Sequence, residues 1–323
     1  MDKLIEMLQQ LVNGVSLGSI YALIALGYTM VYGVLRFINF AHGDIYMLGA
    51  YAGYLLAPLF AHAFKFGEFD TFTPQNTLFI LSGAGLIMIL SMAICAAIGV
   101  LIERIAYRPL RERPRLNVLI TAIGVSLFLQ NMTQYRLGAD PKAFPELIPV
   151  HVVEGLGNLT ILTSQLAIII ATIILLIILR FVVMKTKIGL AMRALSLNPT
   201  ACSIMGVNND VVISFTFALG SALAAAAGIL VSMDSPSINP LMGNLPVIKA
   251  FVAAVLGGIG NIPGAALGGL IIGILETLVV AIGFPQWRDG IAFAVLIVIL
   301  LFKPTGILGR VEREKVRAAA FWV

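Results

Sequence analysis

The chain has 323 residues, of which 59% are hydrophobic and 11% charged. A soluble domain carries about 25% charged residues, so a soluble globular fold is excluded. The formal net charge of +5 does not point to nucleic acid, because the Lys and Arg residues cluster in a few loops, as membrane topology signals do.

The start of the chain places Asp2, Glu6, Gln9, Gln10 and Asn13 before any apolar run, a pattern not expected of a cleavable signal peptide. Apolar runs then predict spans at 12–35, 40–62, 78–103, 117–135, 166–184, 211–231 and 264–283. Shorter apolar segments are predicted at 245–257 and 289–302. Runs of this length favour helices over a β-barrel. The expected fold is an all-α polytopic membrane protein with about eight to nine transmembrane segments, some short or broken, forming one domain over residues 1–323. Cys95 lies in an apolar run and Cys202 in a basic loop, which suits neither a disulfide framework nor a metal site.

Charge sets the orientation. Arg104, Arg108, Arg111, Arg113 and Arg115 outweigh Glu103 and Glu112, so this segment is expected on the cytoplasmic side. Lys185, Lys187 and Arg193 say the same of the next internal loop, and Lys303, Arg310, Arg313, Lys315 and Arg317 of the tail. The loops 63–77 and 136–165 lack this excess and are expected outside. If all nine segments cross, the N-terminus also lies outside.

Two stretches break the membrane pattern. In Arg36–Asp44, the polar residues Asn39, His42 and Asp44 surround Gly43. They are expected near the inner face, as part of a translocation path or gate, or as a satisfied turn in which Asn39 caps the next helix. His62 and His151 fall in or beside outer loops, so no metal site is expected around His42. In Gly257–Gly269, Gly257, Gly258, Gly260 and Gly264 accompany Pro263. Unwound backbone at membrane depth persists only inside protein or beside a watery cavity, and transporters build polar sites from such broken helices. Close helix packing is the other reading, since Gly264 and Gly268, and Gly269 and Gly273, are spaced for small-residue interfaces, and both readings can hold at once. The two breaks hint at an internal repeat, although no residue-by-residue match supports it. Lys249 and Glu276 are ionisable residues inside apolar segments. A place on the pathway and a structural pairing with each other both stay open. Asp234–Asn244 reads as a Pro-containing outer connection, either a docking surface or a rigid loop.

The segment Lys185–Asn209 (KTKIGLAMRALSLNPTACSIMGVNN) joins two spans. It reads as short helices broken at Asn198-Pro199, basic, with small residues at Gly189, Ala191, Ala194, Ala201 and Gly206. Such helices suit a groove on a soluble partner, and Arg193 is the leading charged candidate for that contact. A subunit driven from outside itself is implied. A stand-alone carrier would need further intramembrane ion ligands beside Glu276. An intramembrane enzyme would need a Ser/His, HExxH or paired-Asp set, and none is present in the sequence.

The chain closely resembles the permease subunits of ABC importers for branched-chain amino acids, most of all the high-affinity leucine/isoleucine/valine type. The resemblance rests on Asn13–Tyr51, IERIAYRPLR (Ile102–Arg111), AIGVSLFLQN (Ala122–Asn131), the basic loop, Lys249–Glu276 and KPTGILGR (Lys303–Arg310). It implies the ABC importer permease fold in a bacterial inner membrane, with the C-terminus cytoplasmic. It implies a second related permease subunit, two cytoplasmic ATPase subunits that hold ATP and magnesium, and a periplasmic substrate-binding protein. It implies no cofactor on this chain and no nucleic-acid partner. By the same resemblance Lys185–Asn209 is the coupling segment, with Gly189, Arg193, Ala194 and Gly206 its matching positions. Permeases for urea and short amides are also similar, which leaves the solute open at this point.

Overall fold

Apolar runs of this length must satisfy their backbone polar groups within themselves, and the computed structural model shows them as helices. It describes residues 2–35, 39–64, 74–111, 113–153 and 160–309. The elements are α1 (Asp2–Leu35), α2 (His42–Phe64), α3 (Pro74–Ile102), α4 (Arg115–Leu137), β1 (Lys142–Ala143), β2 (Val152–Val153), β3 (Ile161–Leu162) and α5 (Thr163–Lys185). There follow α6 (Lys187–Leu197), α7 (Pro199–Ile204), α8 (Asn209–Asp234), β4 (Ser237–Ile238), α9 (Asn244–Gly257), α10 (Ile262–Ala281) and α11 (Arg288–Phe302). A π-helical turn, Glu103–Tyr107, and a 3-10 turn, Arg108–Leu110, extend α3. Seven helices among the described residues are long and apolar enough to cross a membrane, and α9 is a shorter apolar helix.

The predicted spans match these helices to within a few residues, except that α1 starts well before residue 12. Its polar first turns are held by Thr160 in the connection before α5 and by Gln165 in the first turn of α5. Gln9 bonds both the N–H and the carbonyl of Thr160, and Asn13 accepts from Gln165 at 3.0 Å. Arg310, Arg313, Lys315 and Arg317, part of the tail's expected inner charge, lie outside the described residues. So do Arg36, Glu112, Glu154 and most of the 63–77 loop.

Helices α1 and α8 form the buried centre. Small residues let their neighbours approach, which is how membrane helices gain packing energy in the absence of a hydrophobic drive. Helix α10 carries two such stripes. Gly269 and Gly273 lie against Ala22 and Gly18 of α1, while Gly264 and Gly268 lie against Gly257 and Ala253 of α9. These spaced glycines therefore pack helices closely, as the packing reading expects.

Direction along the bundle follows from contacts. The start of α1 meets Thr160, and the end of α8 leads to β4, which pairs with β1 of the same 138–162 connection. The end of α1 and the start of α8 line one cavity at the opposite, basic end. The two central helices thus run antiparallel. Helix α2 runs toward the 138–162 end, with Gly53 beside Phe144, and α9 runs toward the basic end, where Gly260 lies near Gly33. Helix α3 packs on α8 as α10 packs on α1, and α2 packs on α8 as α9 packs on α1.

This is an inverted repeat, and it has a sequence trace. Ile38, Asn39, Gly43 and Ala50 recur 200 positions later as Ile238, Asn239, Gly243 and Ala250. Local geometry recurs too. The Asn39 side chain accepts from Ala41 N at 3.1 Å, and Asn239 accepts from Leu241 N at 3.0 Å. The repeat therefore does not relate the two glycine-rich breaks to each other. It relates the first break to residues 238–251.

Candidate functional site

The first break lies at mid-depth rather than near the inner face. His42 packs against Gly27 of α1, which in turn abuts Gly220 of α8. Gly220 lies about 11 residues, or about 16 Å, into a 26-residue helix. Helix α2 consequently begins halfway through the bundle, and α9 begins at the same level. Their N-termini meet where Gly43 and Gly243 touch backbone to backbone. A Cβ on Gly243 would strike the Gly43 carbonyl, and a Cβ on Gly43 would lie 2.7 Å from the Gly243 oxygen.

Polar side chains close around this crossing. Gln130 of α4 donates to Asp44 at 2.8 Å and to Asn244 at 3.0 Å, joining α2, α4 and α9. Asp44 sits in the first turn of α2, where the helix dipole favours a carboxylate. Asn39 is buried, and besides its bond from Ala41 N it accepts from the Tyr107 hydroxyl at 2.7 Å. The His42 ring nitrogen Nε2 lies 3.3 Å from the Ile24 carbonyl, and the ring is edge-on to Tyr28. Asn39 therefore does not cap α2 itself: its side chain accepts from Ala41 N in the turn that precedes the helix, within the bundle and not at its surface. No group of three or more His, Cys, Asp or Glu side chains comes together among the described residues.

The second break is a separate feature at the basic end. Gly258 and Gly260 adopt positive φ, +103° and +87°, the left-handed region where glycine is favoured. The carbonyls that end α9 are satisfied by the tail. Ile307 N donates to Leu256 O at 2.8 Å and Leu308 N to Gly257 O at 3.1 Å, while Asn261 Nδ2 bonds Leu308 O at 2.7 Å. Gly257 and Gly264 face each other across the hairpin. Gly260 is exposed and has open space around it, so its demand is conformational and not steric.

Glu276 belongs to neither break. It is 0% exposed and pairs with Lys249, 4% exposed, at 2.8 Å. Tyr21 donates to Glu276 at 3.1 Å, Arg288 lies 3.3 Å from it, and Asp289 lies 2.6 Å from Lys249. The expected Lys249–Glu276 pairing is present, enlarged by three residues that link α1, α9, α10 and α11. A buried network of ion pairs and hydrogen bonds of this kind ties the four helices together.

The basic loop folds as α6 and α7, capped by Thr186, which accepts from Gly189 N at 3.1 Å, and by Asn198, which accepts from Ala201 N at 3.0 Å. Gly189 is buried, and a Cβ there would hit the Val182 and Val183 carbonyls that end α5. Gly206 has φ +81°. Arg193 and Ala201 are exposed, and Ala194 is half-buried. Beside them stand Leu197, Ile204 and Met205, 76%, 81% and 82% exposed. These bare apolar side chains share the loop with the exposed Arg193. Arg108 and Arg111 both pair with Asp210, and Arg111 also pairs with buried Glu103, fixing the extension of α3 to the start of α8.

Two cavities flank the mid-depth crossing. One of about 880 Å³ opens at the basic end and is lined by Leu35, Tyr107, Arg108, Arg111, Asp210 and neighbours. The other, about 410 Å³, lies toward the 138–162 end between Tyr46, Val231 and the 235–246 segment. Leu35 and Ser235 are repeat-related positions, so the cavities lie on opposite sides of the pseudo-symmetric pair.

The reading of single residues missed Gln130, Asn244 and Gly243 as partners of Asp44 and Gly43, and Tyr21 and Asp289 as partners of Lys249 and Glu276. The recurrence of Ile-Asn and Gly at a spacing of 200 was the available signal for Gly243 and Asn244. Nothing in the local sequence marks Gln130 or Tyr21.

Residues 10–300 match the family model for the permease component of the branched-chain amino acid transport system. The chain is 42% identical to the high-affinity branched-chain amino acid transport system permease protein BraD of Pseudomonas aeruginosa, over 98% of this chain and 100% of that protein. It is 43% identical to LivH of Escherichia coli, which has the same description, over 98% of this chain and 99% of that one. It is 27% identical to a probable branched-chain amino acid transport permease protein LivH of Methanocaldococcus jannaschii, over 90% and 89% respectively. No solved structure matches significantly.

Proposed function

This chain belongs to the branched-chain amino acid transport permease family, and from that premise we propose that it imports leucine, isoleucine or valine as one permease subunit of an ATP-driven transporter. Its partners are a second related permease, two ATPase subunits that hold ATP and magnesium, and an external binding protein. The whole chain is one permease domain in a bacterial inner membrane. The basic end and the C-terminus face the cytoplasm, and the 138–162 connection faces the binding protein. The apolar outer faces of α3, α4, α5 and α11 meet lipid or the second permease.

The observation that carries the mechanism is the meeting of α2 and α9 at mid-depth. Two oppositely directed half-helices, each tied to its own central helix, form a contact that relative motion of the repeats can open toward one side at a time. ATPase closure moves α6 and α7, and α5 and α8, rigidly attached on either side, carry that motion inward. Among the site residues read from sequence, Asn39, His42, Gly43 and Asp44 belong to this gate. Gly257, Gly258, Gly260 and Gly264 form the inner hairpin that anchors α9. Glu276 braces the bundle.

The test is uptake of labelled leucine into proteoliposomes holding both permeases and the ATPase, with ATP inside and binding protein outside, each component omitted in turn. Uptake requiring every component supports the reading, while uptake by this chain alone without ATP rejects it. ATP-dependent transport of urea without leucine changes the solute and keeps the mechanism. A second expected result concerns the docking surface. Arg193→Glu lowers binding-protein-stimulated ATP hydrolysis about tenfold, the scale of one lost charged contact at an interface, and leaves membrane insertion unchanged. Wild-type coupling in that variant would remove Arg193 from the ATPase contact.

A further inference from the structure

The cavity of about 410 Å³ on the 138–162 side is lined by Tyr46 of α2, Val231 and Ser235 at the end of α8, Ser237 and Asn239 of the descending segment, and Leu241, Met242, Leu245 and Pro246 around the start of α9. We propose that it is a solute subsite on the outer side of the gate, taking an apolar amino acid in transit. The proposal rests on the importer reading above and adds the place where this chain meets its solute.

Its chemistry is selective by what lines it. No side chain in the lining carries a formal charge. The ammonium and carboxylate of a zwitterion must be met by the hydroxyl and amide groups of the lining and by water, whereas an acidic or basic amino acid would bring a third charge with no partner into a weakly polar pocket. Val231, Leu241, Met242, Leu245 and Pro246 supply an apolar wall for a branched side chain. Ser235, Ser237 and Asn239 supply hydroxyl and amide groups on the side nearer the outer end. The volume lies within the range of about 300–1,000 Å³ usual for small-molecule sites. The absence of an ion pair to the solute keeps its hold weak, as passage requires.

Position supports the same assignment. The pocket borders Asn239, Leu241 and Met242, which lead directly into Gly243 and the contact with Gly43. A solute leaving it toward the basic end meets that contact first. Beyond the contact lies the larger cavity, which reaches Leu35, the repeat partner of Ser235, and Tyr107, which bonds Asn39, the repeat partner of Asn239. The solute path therefore has an outer station and an inner one, with the glycine crossing between them.

The experiment is competition uptake with the complete reconstituted complex. Val231→Phe narrows the pocket, and Val231→Ala widens it. For Val231→Phe, leucine uptake is expected to fall about thirtyfold and valine uptake about threefold, a separation of about tenfold, the low end of what an apolar site gives for substrates that differ by one methylene. Val231→Ala is expected to shift the leucine-to-valine ratio the other way while the complex still assembles. Equal losses for both solutes in both variants, or no change in either, would overturn the subsite. A wild-type complex that transports neither solute would reject the importer reading itself, so the two failures are distinguishable.

Discussion

Lys249→Met is expected to lower the stability of the folded chain by about 3 kcal/mol, the low end for removing one partner of a buried ion pair. The low end applies because Glu276 keeps the Tyr21 hydroxyl and Arg288, although Arg288 is half exposed and 3.3 Å away. The double replacement Lys249→Met with Glu276→Leu removes both charges from the interior and is expected to recover most of the loss, since apolar residues of similar volume replace such pairs at little cost. Unfolding in mixed micelles, followed by a double-mutant cycle, provides the measurement. Additive losses would mean that the two residues do not act as a pair. If instead the double variant is stable but transports poorly, Glu276 serves the pathway as well as the scaffold.

Gly243→Val is expected to abolish uptake, by about a hundredfold or more, while the complex still assembles. The cause is steric, because a single Cβ at this position already overlaps the Gly43 backbone. A branched side chain must force the α2 and α9 N-termini apart, and an interior packed to crystal-like density absorbs such an insertion only by moving backbone. The Gln130 bonds to Asp44 and Asn244 span the same gap and would stretch with it. Uptake measured beside complex yield separates a jammed gate from failed folding. Near-normal transport would show that the crossing is not part of the moving path. Gly260→Leu tests the inner hairpin, where the obstacle is the positive φ and not lack of room. Its expected effect on transport is smaller.

Helix number, type and boundaries were legible in the sequence because the bilayer imposes them locally. A run of apolar residues long enough to span must be helical, and each end is marked by a charge, a glycine or a cap. Thr186, Asn198 and Asn261 are all caps of this kind. The two short helices of the basic segment were legible for a similar reason, since Thr186 and Asn198 cap them and Pro199 starts the second. The depth of His42 was not legible. Charge counting placed it near the inner face, but the level at which a broken helix restarts depends on which neighbour its glycines fit against.

By itself, then, the sequence determined a helical membrane protein, the basic side of its bundle and the small-residue stripes along its helices, because each is set by residues close together in the chain. Only the tertiary structure decided that Gly43 meets Gly243, that Gln130 bridges Asp44 and Asn244, and that Lys249 and Glu276 are braced by Tyr21, Arg288 and Asp289. These contacts join residues up to 255 positions apart. The physical reason is that interhelical contacts depend on the relative rotation and depth of whole helices, and no local periodicity encodes either.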